Sequence, residues 1–101
     1  MKIVLCNAPK DVAPALAKQL LEANLAACIN LIGPVRSLYR WQGETCDDEE
    51  MTLLIKVAAA RAEALREALV EAHPYEVPEV LFLAVDEGLS HGPYIDWVRG
   101  A

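Results

Sequence analysis

Aromatic residues are scarce in this chain: one Phe, two Trp and three Tyr make up 6% of its 101 residues. Long apolar runs are absent. Stretches such as Leu25-Ala26-Ala27-Cys28-Ile29 and Val80-Leu81-Phe82-Leu83-Ala84-Val85 stop far short of the ~20 residues that a membrane-spanning helix requires. The opening Met1-Lys2-Ile3-Val4-Leu5-Cys6 has one cation but lacks the apolar stretch of about 7–15 residues and the cleavage site of an export signal. Nothing in it directs export. Cysteine is limited to Cys6, Cys28 and Cys46, an odd number with no C-x-x-C spacing, which argues for reduced thiols in the cytoplasm rather than a disulfide framework. Positive charge is also short, with Lys plus Arg at 9 against Asp plus Glu at 15, a net charge of −6. That balance disfavours a nucleic-acid partner, which needs cations to replace condensed counterions, and equally an anionic membrane surface. The five glycines make neither a P-loop nor G-x-G-x-x-G, so a nucleotide phosphate has no recognised cradle. No H-E-x-x-H and no nucleophile elbow is present, and no catalytic constellation stands out.

What is present is apolar and compactly ordered. The length fits one domain over residues 1–101, since domains typically run ~100–200 residues. An apolar content of 54% lies slightly above the average of ~45–50%. A small domain has little interior in which to hide that surface, and oligomers commonly solve the problem.

Lys2 to Cys6 is a short β-branched run that Asn7-Ala8-Pro9 should stop, which reads as a buried strand. Asp11 offers an N-cap and Pro14 falls in the first turn of a helix carrying Leu16 and Leu20 at i, i+4, with Asn24 as a left-handed C-cap. Residues 28–57 read as one long hairpin, bent at Gly33-Pro34 and turned at Gln42-Gly43-Glu44. Its far end carries Glu44, Asp47, Asp48, Glu49 and Glu50, read as a solvated tip because the run lacks the oxygen spacing and central Gly of a calcium loop. A second helix spans 60–73, with Leu65, Leu69 and Ala72 on one face, and Pro74 stops it. Val80 to Val85 is a further strand, and Tyr94 to Val98 a short C-terminal helix.

The order strand–helix–strand–strand–helix–strand predicts an α+β fold, a ferredoxin-like βαββαβ sandwich with two helices on one face of an antiparallel sheet. In it, the end of the first strand (Cys6), the end of the second helix (His73) and the hairpin turn share one side. The first and fourth strands are neighbours, so Cys6 and His73 are candidates for one site. Helices of ~12–14 residues reach about 20 Å, whereas strands of 13–14 residues exceed ~40 Å. Part of the hairpin must therefore project, carrying Leu38, Tyr39, Trp41 and Met51, and a neighbouring subunit is the cover that suits it.

Cys6 and His73 are soft and borderline donors suited to copper or zinc. They read equally as a buried strand-end thiol and as a helix C-terminal imidazole favoured by the macrodipole. Two donors also fall short of the three or four that zinc takes. Cys28 reads as core, Cys46 and His91 as surface. His73-Pro74-Tyr75-Glu76-Val77-Pro78-Glu79 is the most distinctive stretch: its prolines fix a tight path from helix to strand, and rigid backbone there also suits the presentation of Tyr75 and Glu76 at a cleft.

Across about Ile3 to Val98 the sequence resembles the CutA divalent-ion-tolerance proteins. The matching pieces are Cys6-x-x-Pro9, Leu25 to Asn30, Ser37-Leu38-Tyr39-Arg40-Trp41-Gln42-Gly43, Leu54-Ile55-Lys56, His73 to Glu79 and Tyr94-Ile95-Asp96-Trp97. The resemblance implies a cytoplasmic homotrimer, assembled like PII signalling proteins through its long hairpins, with a non-enzymatic role in tolerance to copper or other divalent cations. It implies Cu(II) or a similar ion on Cys6 and His73; where some members carry a second adjacent His, this chain has Ala72. It also leaves open a PII-like module that holds a small ligand or a partner protein at an inter-subunit cleft near Trp41, Tyr75 and Glu76.

Overall fold

The computed structural model describes all residues from Met1 to Ala101. Its elements are β1 (Lys2–Pro9), α1 (Ala13–Glu22), β2 (Cys28–Trp41), β3 (Glu44–Val57), a 3-10 turn (Ala59–Arg61) leading into α2 (Ala62–Ala72), β4 (Leu81–Ala84) and α3 (Gly92–Gly100). The sheet order is β2-β3-β1-β4, every neighbouring pair antiparallel. This is the ferredoxin-like arrangement expected from the element order.

Strand alternation sorts the side chains by face. Val4, Cys6 and Ala8 of β1, with Leu53, Ile55 and Val57 of β3, are fully buried against Leu16 and Leu20 of α1 and Leu65 and Leu69 of α2. The opposite face is also apolar, yet no helix of the βαββαβ unit covers it. There Leu81 pairs with Leu5 and Leu83 with Ile3, and Leu81 and Leu83 remain 56% and 46% exposed.

Several local expectations are corrected. β1 does not stop at Asn7: Asn7, Ala8 and Pro9 pair with Thr52, Met51 and Glu50 of β3. Pro9 fits because it is the last rung, where a missing N–H breaks little of the ladder. Asp11 does not cap α1; Val12 occupies the N-cap without a side-chain hydrogen bond, and Pro14 lies in the first turn. Cys28 is half-buried and belongs to the open face rather than the core, with its sulfur 3.8 Å from Lys56 Nζ. Cys46 is half-buried as well. Met51 packs against the core and needs no outside cover.

The hairpin follows the expected plan. Gln42 and Gly43 form its two-residue loop with φ of 49° and 79°, the double positive φ of a type I′ turn that matches strand twist. Asn24 takes φ 58° just past α1. Gly33, at φ 137°, sits in the irregularity between Ile32 and Val35 where the register with β3 shifts. Beyond the Pro9–Glu50 rung β2 and β3 continue without a third strand as far as Trp41–Glu44, drawing the molecule out to 44 × 27 × 21 Å. Leu38, Tyr39 and Trp41 on that arm are 65%, 41% and 42% exposed.

Candidate functional site

α2 ends where His73 turns to extended geometry (φ −72°, ψ 137°), and Pro74 prevents resumption of the helix. The chain then crosses beside the outer end of β1. His73 is buried, at 6% exposure, and both of its ring nitrogens are engaged. Nε2 lies 2.8 Å from the Asn7 carbonyl oxygen, and Nδ1 accepts the Tyr75 N–H at 3.1 Å. A nitrogen that accepts carries no proton, so Nε2 holds it and donates to Asn7. The Cys6 thiol makes a long contact of 3.8 Å to that same carbonyl. The two residues singled out from sequence thus converge on one backbone oxygen.

That convergence is not a metal centre within one chain. Burial above all, followed by the negative charges of Glu79 and Glu50, pushes the Cys6 thiol up to about 12, so an ion bound there would have to displace its proton. His73 would have to surrender one of its two hydrogen bonds. No group of three or more His, Cys, Asp or Glu side chains is placed to hold an ion. Within one chain the pair supplies two donors, short of the three or four of a complete site.

The anchored segment instead forms one wall of a cleft of about 670 Å³. Tyr75, Glu76, Val77 and Glu79 line this wall, and the projecting hairpin supplies Arg36, Ser37, Leu38, Tyr39 and Trp41 opposite. Asn7 and Glu50 lie between them, at the end of the β1–β3 ladder. Trp41, Tyr75 and Glu76, expected from sequence at an inter-subunit cleft, line one cavity of the single chain.

Glu50 departs most from the sequence reading. It is 4% exposed, not part of a solvated tip, and its Oε2 accepts the Tyr75 hydroxyl at 2.7 Å. Burial, then that carboxylate, raises the Tyr75 phenol above its ordinary value. Tyr39 donates its hydroxyl to Asp48 Oδ2, and this bond raises the Tyr39 phenol. Arg36 is committed to Asp47 through contacts of 2.9 and 2.6 Å, which lower the Asp47 carboxyl. Glu50 could have been found in the sequence only by extending β1 to Pro9, since its burial follows from that last rung.

The comparisons fit this architecture. The family model for the CutA1 divalent ion tolerance protein matches residues 2–101. A divalent-cation tolerance protein CutA of Thermus thermophilus is 41% identical over 99 residues, 97% of this chain and 94% of that protein. One from Pectobacterium atrosepticum is 41% identical over 100 residues, 98% of this chain and 89% of that protein. Among solved structures, the PII-like protein CutA from Nostoc sp. PCC 7120 in apo form superposes with a TM-score of 0.96 at 43% identity, covering 99% of this chain and 95% of that one.

Proposed function

This chain belongs to the CutA1 divalent ion tolerance protein family, and from that membership we propose that it works as a cytoplasmic, non-enzymatic homotrimer of PII-like fold whose cleft takes up a small ligand or a partner. The observation that carries the reading is the cleft itself. Its walls come from two distant segments, both held in place, and its volume of about 670 Å³ falls in the usual ~300–1,000 Å³ range of small-molecule sites. Self-association is supported by the open sheet face with exposed Leu81 and Leu83, and by the projecting arm with exposed Leu38. A single copy leaves both wet.

The competing reading is direct chelation of Cu(II) or another divalent cation by Cys6 and His73. The family's description supports cation involvement in what the protein does. The protonated thiol and the doubly bonded imidazole favour an indirect route, in which the cleft reports to a partner.

A thermal-shift screen of metabolites on the untagged protein, with light scattering of the same sample, tests the proposal. A ligand at 100 times its Kd stabilises by about 2.7 kcal/mol. The expected species has three times the 11.1 kDa chain mass and responds to a small set of related metabolites. A monomer, or silence across the screen together with metal-induced shifts, overturns it.

A further inference from the structure

We propose that the ligand of this cleft is an organic cation, an ammonium head on an apolar body, with Glu50 as its counter-charge and Trp41 and Tyr39 as its aromatic walls. The inference rests on the cleft reading above and adds the charge and class of what fills it.

Glu50 carries the argument. One of its oxygens accepts from Tyr75; the other has no donor in the chain, and no Lys or Arg forms an ion pair with it. No fully enclosed side-chain nitrogen or oxygen lacks a partner, so this free oxygen opens onto the cleft that Glu50 lines. Glu50 is 4% exposed with no cation beside it, and buried carboxylates are ordinarily paired; a bound cation would supply that partner.

The surroundings agree in sign. Glu76 and Glu79 line the same cavity, and the only cation there, Arg36, is already neutralised by Asp47. The negative field of Glu79 and Glu50 reaches as far as the Cys6 thiol. Trp41 and Tyr39 also line the cavity, and aromatic rings attract cations through their quadrupoles. An inorganic ion is a poor match, because the carboxylates are not grouped closely enough to coordinate one. A cation gripped by one buried charge and by aromatic faces, in a cavity of about 670 Å³, is an organic one.

Three probes of one shape separate the possibilities: phenethylammonium, 2-phenylethanol and 3-phenylpropionate, titrated into the assembled protein at low salt. Calorimetry gives affinity, and the Trp41 indole N–H resonance, assigned with a Trp97→Phe variant, gives location. The cation is expected to saturate at least tenfold more tightly than the alcohol and to shift Trp41. Its affinity should fall at least fivefold in Glu50→Gln, which keeps an oxygen for Tyr75. Should Glu50→Gln fail to fold, the exposed Glu79→Gln decides, with a smaller loss of about twofold to threefold expected. Tightest binding by the alcohol or the carboxylate, with Trp41 still shifting, overturns the cationic class and leaves the cleft reading standing. Unchanged cation affinity in the Gln variants also overturns it. No Trp41 shift from any probe sinks both.

Discussion

The imidazole Nε2 of His73 lies 2.8 Å from the carbonyl oxygen of Asn7, joining two points 66 residues apart in the chain. Through this bond the end of α2 is pinned to the outer end of β1, and the segment that follows inherits its position. Tyr75, bonded to His73 Nδ1 through its N–H and to Glu50 through its hydroxyl, is fixed from both ends. One wall of the cleft is thus built by three hydrogen bonds in series.

Replacing His73 with Ala should loosen that wall. It leaves the Asn7 carbonyl without its imidazole donor and the Tyr75 N–H without an acceptor, and a buried group left unpaired costs about 1–3 kcal/mol. Urea unfolding at fixed protomer concentration should show a loss in this range. Hydrogen exchange at the Tyr75 amide should accelerate more than at the α1 amides. Uniform acceleration throughout the chain would mean that His73 supports the fold at large and not this wall.

The Cys6 thiol makes a pH prediction with a definite sign. Its folded value is raised to about 12 from an ordinary 9.0, so below 9 both states are protonated and stability does not depend on this group. Between 9 and 12 the unfolded chain has lost a proton that the folded chain keeps. Stability should therefore fall by at most about 1.4 kcal/mol per pH unit from this source. Comparing wild type with Cys6→Ala over pH 8–11 isolates the slope, since the cavity cost of the substitution is independent of pH. Parallel curves would contradict a buried, protonated thiol.

Copper binding provides a direct check on the convergence of Cys6 and His73. Because the thiol holds its proton and both imidazole nitrogens are bonded, Cu(II) affinity in a Cys6→Ala/His73→Ala double variant should stay within about twofold of wild type, against the tenfold or greater loss that removal of true ligands typically produces. Calorimetric titration of both proteins reads the difference. A tenfold loss would establish the pair as ligands.

Much of this was legible in the sequence, because periodicity and turn chemistry are local. The long hairpin, its Gln42-Gly43 loop, the bend at Gly33 and the order of elements all follow from neighbouring residues. The register at the outer end of β1 was not legible, since it is settled by pairing with β3, and the extension to Pro9 runs against proline's usual role as a stop. That one rung decides the burial of Glu50, which looked like one more charge in an acidic run. The shared carbonyl of Cys6 and His73 was hidden for a related reason: topology places two residues on one side, but only side-chain geometry shows that both meet the Asn7 carbonyl.

The open sheet face makes a prediction about assembly. Leu81 and Leu83 lie on the short edge strand and are about half exposed in a single chain. In an oligomer that covers this face, Leu81→Lys/Leu83→Lys places two cations at a desolvated contact, where an unpaired buried charge costs about 3–5 kcal/mol. Light scattering should show the mass fall toward 11.1 kDa, with far-ultraviolet circular dichroism largely kept. An unchanged mass would move the interface elsewhere on the molecule.

The two glycines of the hairpin should respond very differently to alanine. At Gly43 a Cβ would meet nothing within 4 Å, so only the positive φ of 79° opposes it; left-handed backbone costs a side-chain-bearing residue about 1–2 kcal/mol. At Gly33 the φ is 137°, and a Cβ would lie 2.7 Å from the Val35 nitrogen and 3.2 Å from the Glu50 carbonyl oxygen. Both neighbours are backbone and cannot rotate away. The strand must therefore shift where its register changes, and the loss should exceed that at Gly43 by at least about 1 kcal/mol. Since the crowded atoms belong to Val35 and Glu50, the shift passes into the rung that floors the cleft. Urea midpoints at one protomer concentration should rank Gly33→Ala well below Gly43→Ala. Binding of a cleft ligand should weaken in Gly33→Ala under conditions where it is still folded. Equal midpoints would show that the bend relaxes freely and that the arm is not held in register at Gly33.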